Sequence, residues 1–147
     1  MYKRILVATD GSTLSKKAVK DAIALAGSLG ADLVALNVVM RYPMSYFEGG
    51  VSISPQDVGR IEKEWADKGQ AIADAVQKSA EAAGVKAKAV TAKSDLVANA
   101  ILSAAKKNKC DLIVMASHGR KGLSRILLGS ETQQVLTHSS IPVLVLR

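Results

Sequence analysis

The stretch DLIVMASHGRKGLSRILLGSET, Asp111 to Thr132, decides how the rest of the chain is read. It opens with an apolar, largely branched run, Leu112 to Ala116, bounded by Asp111 and Ser117. A short continuous run of this kind predicts a strand buried on both faces, as in parallel sheets. The chain then turns polar and basic through Ser117, His118, Gly119, Arg120, Lys121 and Gly122. Gly129-Ser130-Glu131-Thr132 follows and leads into Gln133 to His138, a polar-apolar stretch that predicts a helix beginning at Ser130. Strand, glycine-bearing basic loop and helix start together make a phosphate cradle. Glycine lets backbone N–H groups approach an anion, and the first N–H groups of a helix lack internal partners. The same residues also suit a solvated surface loop with an ordinary Ser N-cap. Taken alone, the stretch leaves both readings open.

The chain has 147 residues, which suits one domain, 1–147, with a real core. Ala, Val, Leu and Ile supply that core. Aromatics are confined to Phe47, Trp65 and three tyrosines, which argues against base-stacking platforms and against nucleic acid as a partner. The formal charge of +7 admits an anionic partner, but Lys and Arg are spread along the chain as on a solubilising surface. Cys110 is the lone cysteine, so the expectation is a small core residue in a reducing compartment. Tyr2-Lys3-Arg4 runs straight into an apolar stretch that Asp10 interrupts, too short for a signal peptide. No apolar run approaches membrane-spanning length, and a cytoplasmic protein is expected.

In order, Arg4 to Thr9 predicts a first strand, ended by Asp10-Gly11-Ser12, and Ser15 to Leu29 has helical apolar spacing closed by Gly30. Asp32 to Val39 predicts a second buried strand, completing a right-handed β-α-β unit. Met40 to Ile53, with Pro43, Gly49 and Gly50, is too long for a simple connection and reads as a functional lid or a poorly ordered loop. A long helix begins at Ser54-Pro55 and runs to Ala83, with Gly59 and Gly69 as candidate interruptions and Gly84 as its stop. Val85 to Thr91 alternates apolar residues with Lys, as at a sheet edge. Ser94 is expected to cap a helix over Asp95 to Asn108, and Ile141 to Leu146 forms a final strand. This alternation predicts an α/β domain with a doubly wound, five-stranded parallel sheet. With the first and fourth strands adjacent, the order is 3-2-1-4-5. The switch point then falls where Asp10, Ala116 and the Val38-Val39 strand end come together.

Over essentially the whole chain these residues resemble the universal stress protein family. Ala8-Thr9-Asp10-Gly11-Ser12 looks like the family's opening, and Asp111 to Ala116 and Ile141 to Val145 look like its last two strands. The ATP-binding branch carries Gly, two residues, Gly, nine residues, then Gly-Ser or Gly-Thr. Here that frame falls on Ala116, Ser117-His118, Gly119, Arg120 through Leu128, and Gly129-Ser130. The spacing is kept, with Ala116 in place of the first Gly. The methyl group crowds the ribose or phosphate unless the backbone there has ordinary strand dihedrals. The resemblance implies the adenine nucleotide alpha hydrolase-like fold and an ATP, ADP or AMP site, with Mg²⁺ held through Asp10. By the same resemblance Val38 contacts adenine through its backbone, and Ala8 and Thr9 line the nucleoside pocket beside Val39. Asp10 contacts the ribose or the metal. Gly119, Arg120, Gly129, Ser130 and Thr132 hold the phosphates, with Ser117, His118 and Glu131 alongside. The family's dimer forms through the last strand, here Pro142 to Leu146, and its protein partners are regulatory.

Plainer roles stand beside these. Asp10 can simply start a turn with Gly11. His118 can serve as a general base, but no second residue in the sequence is placed to orient it. Ser130 and Thr132 lack an activating base and suit capping or phosphate donation. Glu131 in a first helical turn is favourable if it faces solvent. Gly119 to Gly122 matches an RNA-binding GxxG loop in letters, but that loop joins two helices. No Walker A tripeptide or dinucleotide fingerprint occurs. The expectation is therefore a nucleotide-binding dimer acting in stress response or signalling. The alternatives are an interaction module that binds no nucleotide and a slow ATPase.

Overall fold

The computed structural model describes residues 1–43, 54–118 and 128–147. Among them the chain runs β1 (Arg4–Ala8), α1 (Thr13–Leu29), β2 (Asp32–Val39), α2 (Pro55–Ala82), β3 (Ala87–Lys93), α3 (Val97–Lys107), β4 (Leu112–Ala116), α4 (Ser130–His138) and β5 (Val143–Leu146). Every strand pair is parallel and the order is β3-β2-β1-β4-β5, as expected from the sequence. At the centre Ile5 lies beside Leu112 and Val7 beside Val114. From β1 the chain winds towards one edge of the sheet, and from β4 towards the other. The loops leaving these two strands therefore diverge and open a crevice.

Successive strand residues point to opposite faces, so each central strand feeds two cores. Ile5, Val7, Leu33, Ala35 and Val114 pack with Val19 and Ala26 of α1 and Val76 and Ala80 of α2. Leu6, Val34, Leu36, Ile113 and Met115 pack with Ile101 and Ala105 of α3 and Val135 of α4. Ile5, Leu6, Leu33, Leu36 and Ile113 are fully buried. Each such side chain contributes about 1.5–3 kcal/mol by leaving water. No helix among the described residues is long and apolar enough to cross a membrane.

Asp111 fastens the start of β4 to the start of β1. Its carboxylate accepts the N–H of Lys3 at 2.8 Å and of Arg4 at 3.1 Å. Desolvation alone would raise its pKa, but these accepted backbone bonds outweigh that and hold the carboxyl below its ordinary 3.8. Next to it Cys110 is buried, and desolvation, opposed by Arg4 and aided by Asp111, pushes its thiol up to about 11. It is an inert core residue.

Some boundaries differ from the sequence reading. The last helix and α2 keep their expected bounds, and α2 runs unbroken for 28 residues through the candidate interruptions Gly59 and Gly69. Gly59 faces open space, whereas a Cβ on Gly69 would lie 2.5 Å from Asn37 Oδ1 and 2.6 Å from Val39 Cγ2. Gly69 is thus the point where the helix lies closest to the sheet, not a break. β3 starts at Ala87 because Val85 is still occupied in closing α2, its N–H donating to Ala80 O. Ser94 does not cap α3. Its hydroxyl accepts the N–H of Leu96 in a local turn, and the helix begins at Val97 without a side-chain cap. The helix expected from Ser15 begins at Thr13, with Ser12 as its cap. Of the expected Met40 to Ile53 loop, Tyr42 stacks on Trp65 of α2 with centroids 6.0 Å apart, and residues 44–53 lie outside the described residues.

Two predictions follow from this packing. Gly69→Ala gains helix propensity of about 1 kcal/mol but overlaps Asn37 and Val39, so net stability should fall by about 1–2 kcal/mol. Urea unfolding checks this, and an unchanged or raised midpoint contradicts the close approach. The depressed folded-state pKa of Asp111 means its stabilisation is present above the unfolded value of 3.8 and is lost as pH falls through the lower folded value. The stability gap between wild type and Asp111→Asn should therefore be widest near neutral pH and shrink on the acid side of 3.8, as read by urea midpoints across pH.

Candidate functional site

The crevice between β1 and β4 opens into a cavity of about 380 Å³. One wall is apolar: Leu36 and Val38 of β2, Met40 just beyond it, Val97 and Ile101 of α3, and Met115 and Ala116 of β4. The opposite side is polar: Thr9, Asp10 and Ser15 after β1, His118 after β4, and Gly129 to Thr132 at the start of α4.

The β1 exit is a hydrogen-bonded turn. Gly11 has φ +79°, a conformation that favours glycine. Its N–H donates to Thr9 Oγ1 at 3.2 Å, and the Ser12 N–H donates to Asp10 Oδ1 at 2.9 Å. The Ser15 hydroxyl donates to Ser12 O at 3.0 Å. That leaves Thr9 Oγ1, 2.9 Å from Ser15 Oγ, as the donor of their shared bond. From β2 the buried Asn37 donates its Nδ2–H to Thr9 O at 3.0 Å. Every link holds the backbone on either side of Asp10, which sets that carboxylate at the cavity edge.

The β4 exit is fastened to α4. Gly129 N–H donates to Ser117 O at 2.8 Å. The Thr132 hydroxyl lies 3.1 Å from Ala116 O and 3.2 Å from Ser117 O and donates to them. Gly129 has φ −61°, open to any residue, so what it supplies is space. A Cβ there would stand 3.1 Å from Ser117 O. The Ser N-cap expected from the sequence is replaced: Gly129 is the N-cap and no side chain caps the helix. The Ser130 hydroxyl instead donates to the Glu131 carboxylate at 3.1 Å. Among the described residues no side chain caps the first-turn N–H groups, which lie at the positive end of the helix dipole.

Among the described residues the charged side chains lining the cavity are Asp10 and Glu131, both acidic. Attraction for an anion there comes from backbone N–H groups and the α4 dipole, not from described side-chain cations. Glu131 is exposed, at the mouth. No group of three or more potential metal-ligating side chains occurs among the described residues. Ala116 is the last residue of β4, paired with Leu146, and Lys109 is the sole described non-glycine residue with positive φ. Its methyl group is therefore carried on ordinary strand backbone. His118 Nδ1 lies 2.9 Å from Ser117 Oγ, while its buried Nε2 has no hydrogen-bond partner among the described residues.

Of the residues singled out from sequence, Ala8, Thr9, Asp10, Val38, Ala116, His118, Gly129, Ser130, Glu131 and Thr132 line this one cavity. Val39 and Ser117 are buried but are not among its lining residues. Gly119 and Arg120, with Lys121, Gly122 and Arg125, lie outside the described residues. Ser15, Leu36, Met40, Val97, Ile101 and Met115 line the cavity and were not anticipated. Period-two spacing from Val38 reaches Leu36 and Met40, and Val97 and Ile101 are four apart on the apolar face of α3. The signal for a wall was available in those spacings.

Comparison with known proteins matches residues 1–147 to the Universal stress protein family. The universal stress protein MJ0531 of Methanocaldococcus jannaschii is 37% identical over 147 residues, covering 100% of this chain and 83% of the relative. The universal stress protein YxiE of Bacillus subtilis is 34% identical over 149 residues, covering 100% of both chains. A crystal structure of a universal stress protein in complex with cAMP is 26% identical with a TM-score of 0.70, covering 99% of this chain and 97% of that one.

Proposed function

This chain belongs to the universal stress protein family, and we propose that it binds an adenine nucleotide in the cavity between β1 and β4 and acts as a nucleotide-dependent dimer in stress response or signalling. One observation carries the reading: the uncapped first turn of α4 opens into the same cavity as an aliphatic wall and Asp10. The wall suits a flat base, and the helix start suits an anion. The related protein in complex with cAMP supports a ligand of this class.

In this reading the base lies on Leu36, Val38, Val97 and Ile101, with the Val38 backbone reading its edge. Asp10 meets the ribose, and the amides of Ser130, Glu131 and Thr132 take the phosphate, joined by Gly119 and Arg120. AMP needs no more than this. ATP would bring extra negative charge towards Asp10 and Glu131, and Mg²⁺, which Asp10 would help to hold, would supply offsetting positive charge. The Thr132 hydroxyl is already engaged with Ala116 and Ser117, so its contribution is its N–H. The second copy adds along β5, the sheet edge, where Leu144 is 39% exposed. Occupancy then changes the contacts offered to regulatory protein partners. The site is a binder first, and any ATP hydrolysis is slow, since no base among the described residues is poised on a water.

Calorimetric titration with AMP and ATP tests this. Wild type should bind, and Gly129→Asp should weaken binding by about 10-fold or more, since it sets a carboxylate against the phosphate. Circular dichroism confirms that the variant is folded. Wild type with no affinity below millimolar would leave the nucleotide-independent interaction module standing.

A further inference from the structure

We propose that Ser117 locks His118 in its Nε2–H tautomer, so that the imidazole stands in the cavity as a neutral donor to an acceptor oxygen on the ligand's anionic tail. This rests on the nucleotide reading above and deepens it, because it assigns a side-chain donor to that tail.

Ser117 is 2% exposed. Its N–H donates to Leu146 O at 2.8 Å, and its carbonyl accepts from Gly129 N–H and from the Thr132 hydroxyl. Among the described residues its hydroxyl has one partner, His118 Nδ1 at 2.9 Å. If Nδ1 carried the proton, it would donate to Ser117 Oγ. Among the described residues the hydroxyl proton would then have no acceptor, and Nε2 would be a bare buried acceptor. Two groups would go unsatisfied. If the hydroxyl donates to Nδ1, a single orphan is left, the Nε2–H. The neutral Nε2–H tautomer is therefore favoured, and a buried donor without a partner is destabilising until an acceptor arrives.

The chemistry of that acceptor follows from where the ring sits. His118 lines the cavity, and its Cα is 3.5 Å from where a Cβ of Gly129 would be. His118 thus lines the same cavity as the uncapped start of α4, whose amides face a ligand there. Donors converging from two elements suit a phosphoryl oxygen. Ser117 is a positioning residue in this arrangement, since it acts through the imidazole.

Two measurements test the proposal. In nucleotide-free protein carrying His138→Gln, so that His118 is the single histidine, ¹⁵N shifts of the imidazole should report a protonated Nε2 and a bare Nδ1. Adding Ser117→Ala should give a mixture of tautomers with the thermal melt little changed. In calorimetry, His118→Ala should weaken AMP about 10-fold, the worth of a hydrogen bond to a charged group, while adenosine, which has no anionic tail, is unaffected. His118→Gln, whose amide N–H reaches close to the Nε2 position, should restore part of the AMP affinity. An Nδ1–H tautomer in wild type, or equal loss for AMP and adenosine, overturns the proposal. Wild type that binds AMP as tightly as His118→Ala does overturns this inference alone. Wild type that binds neither ligand overturns the nucleotide reading and this inference with it.

Discussion

The pairing of β1 with β4 is the contact on which the rest of this structure depends. The two strands are separated by more than a hundred residues of chain yet lie side by side from Ile5–Leu112 to Val7–Val114. Asp111 secures them at one end by accepting the N–H groups of Lys3 and Arg4. Closing so large a loop is entropically unfavourable, and burial offsets it. Ile5, Leu6 and Val7 are wholly shielded from solvent, as are Ile113 and Val114. Once this pair is set, α1 and α2 occupy one face and α3 and α4 the other. The divergence of the two exits at the far end is then a consequence of topology.

What enters that divergence is decided by how each exit is held. After β1 the chain is kept in place by side chains: Asn37 on Thr9, Thr9 on Ser15 and Gly11, Ser12 on Asp10. After β4 it is kept by main chain against α4, with Thr132 as the bolt. One exit presents a carboxylate and the other presents N–H groups. Among the described residues the side-chain charges around the cavity are negative, so what these residues offer an anion is oriented backbone dipoles. Such dipoles are fixed by the fold and need no reorganisation when a ligand arrives, which makes them effective in a partly enclosed site. Gly129 matters here through the 3.1 Å that separates its would-be Cβ from Ser117 O, because that is what lets the helix start approach the strand end.

Much of the fold was legible in the sequence because it rests on patterns that local chemistry enforces. The uninterrupted run Leu112 to Ala116 can hardly be anything but a strand covered on both sides, and the alternation of strand and helix then leaves few topologies. The position of the cavity followed from the same topology. What was not legible depended on tertiary contact. Gly69 reads as a helix breaker until Asn37 and Val39 are seen beneath it. Val85 reads as strand until its N–H is found closing α2. Ser94 and Ser130 both look like caps, but Ser94 closes a turn of its own and Ser130 pairs with its neighbour Glu131. The Thr132 hydroxyl, which looks like a ligand donor, is committed to the end of β4. Short polar side chains near a helix start have several partners in reach, and sequence spacing does not choose among them.

The central claim is that one cavity receives both ends of a nucleotide, the base on the β2–α3 wall and the anionic tail on the start of α4. A crystal structure of the protein grown with AMP tests it most directly. The account predicts the base against Val38, Val97 and Ile101, and phosphoryl oxygens within hydrogen-bond distance of the Ser130 and Glu131 N–H groups. AMP bound at another face, or seated in the cavity with its phosphate directed away from α4, would contradict it.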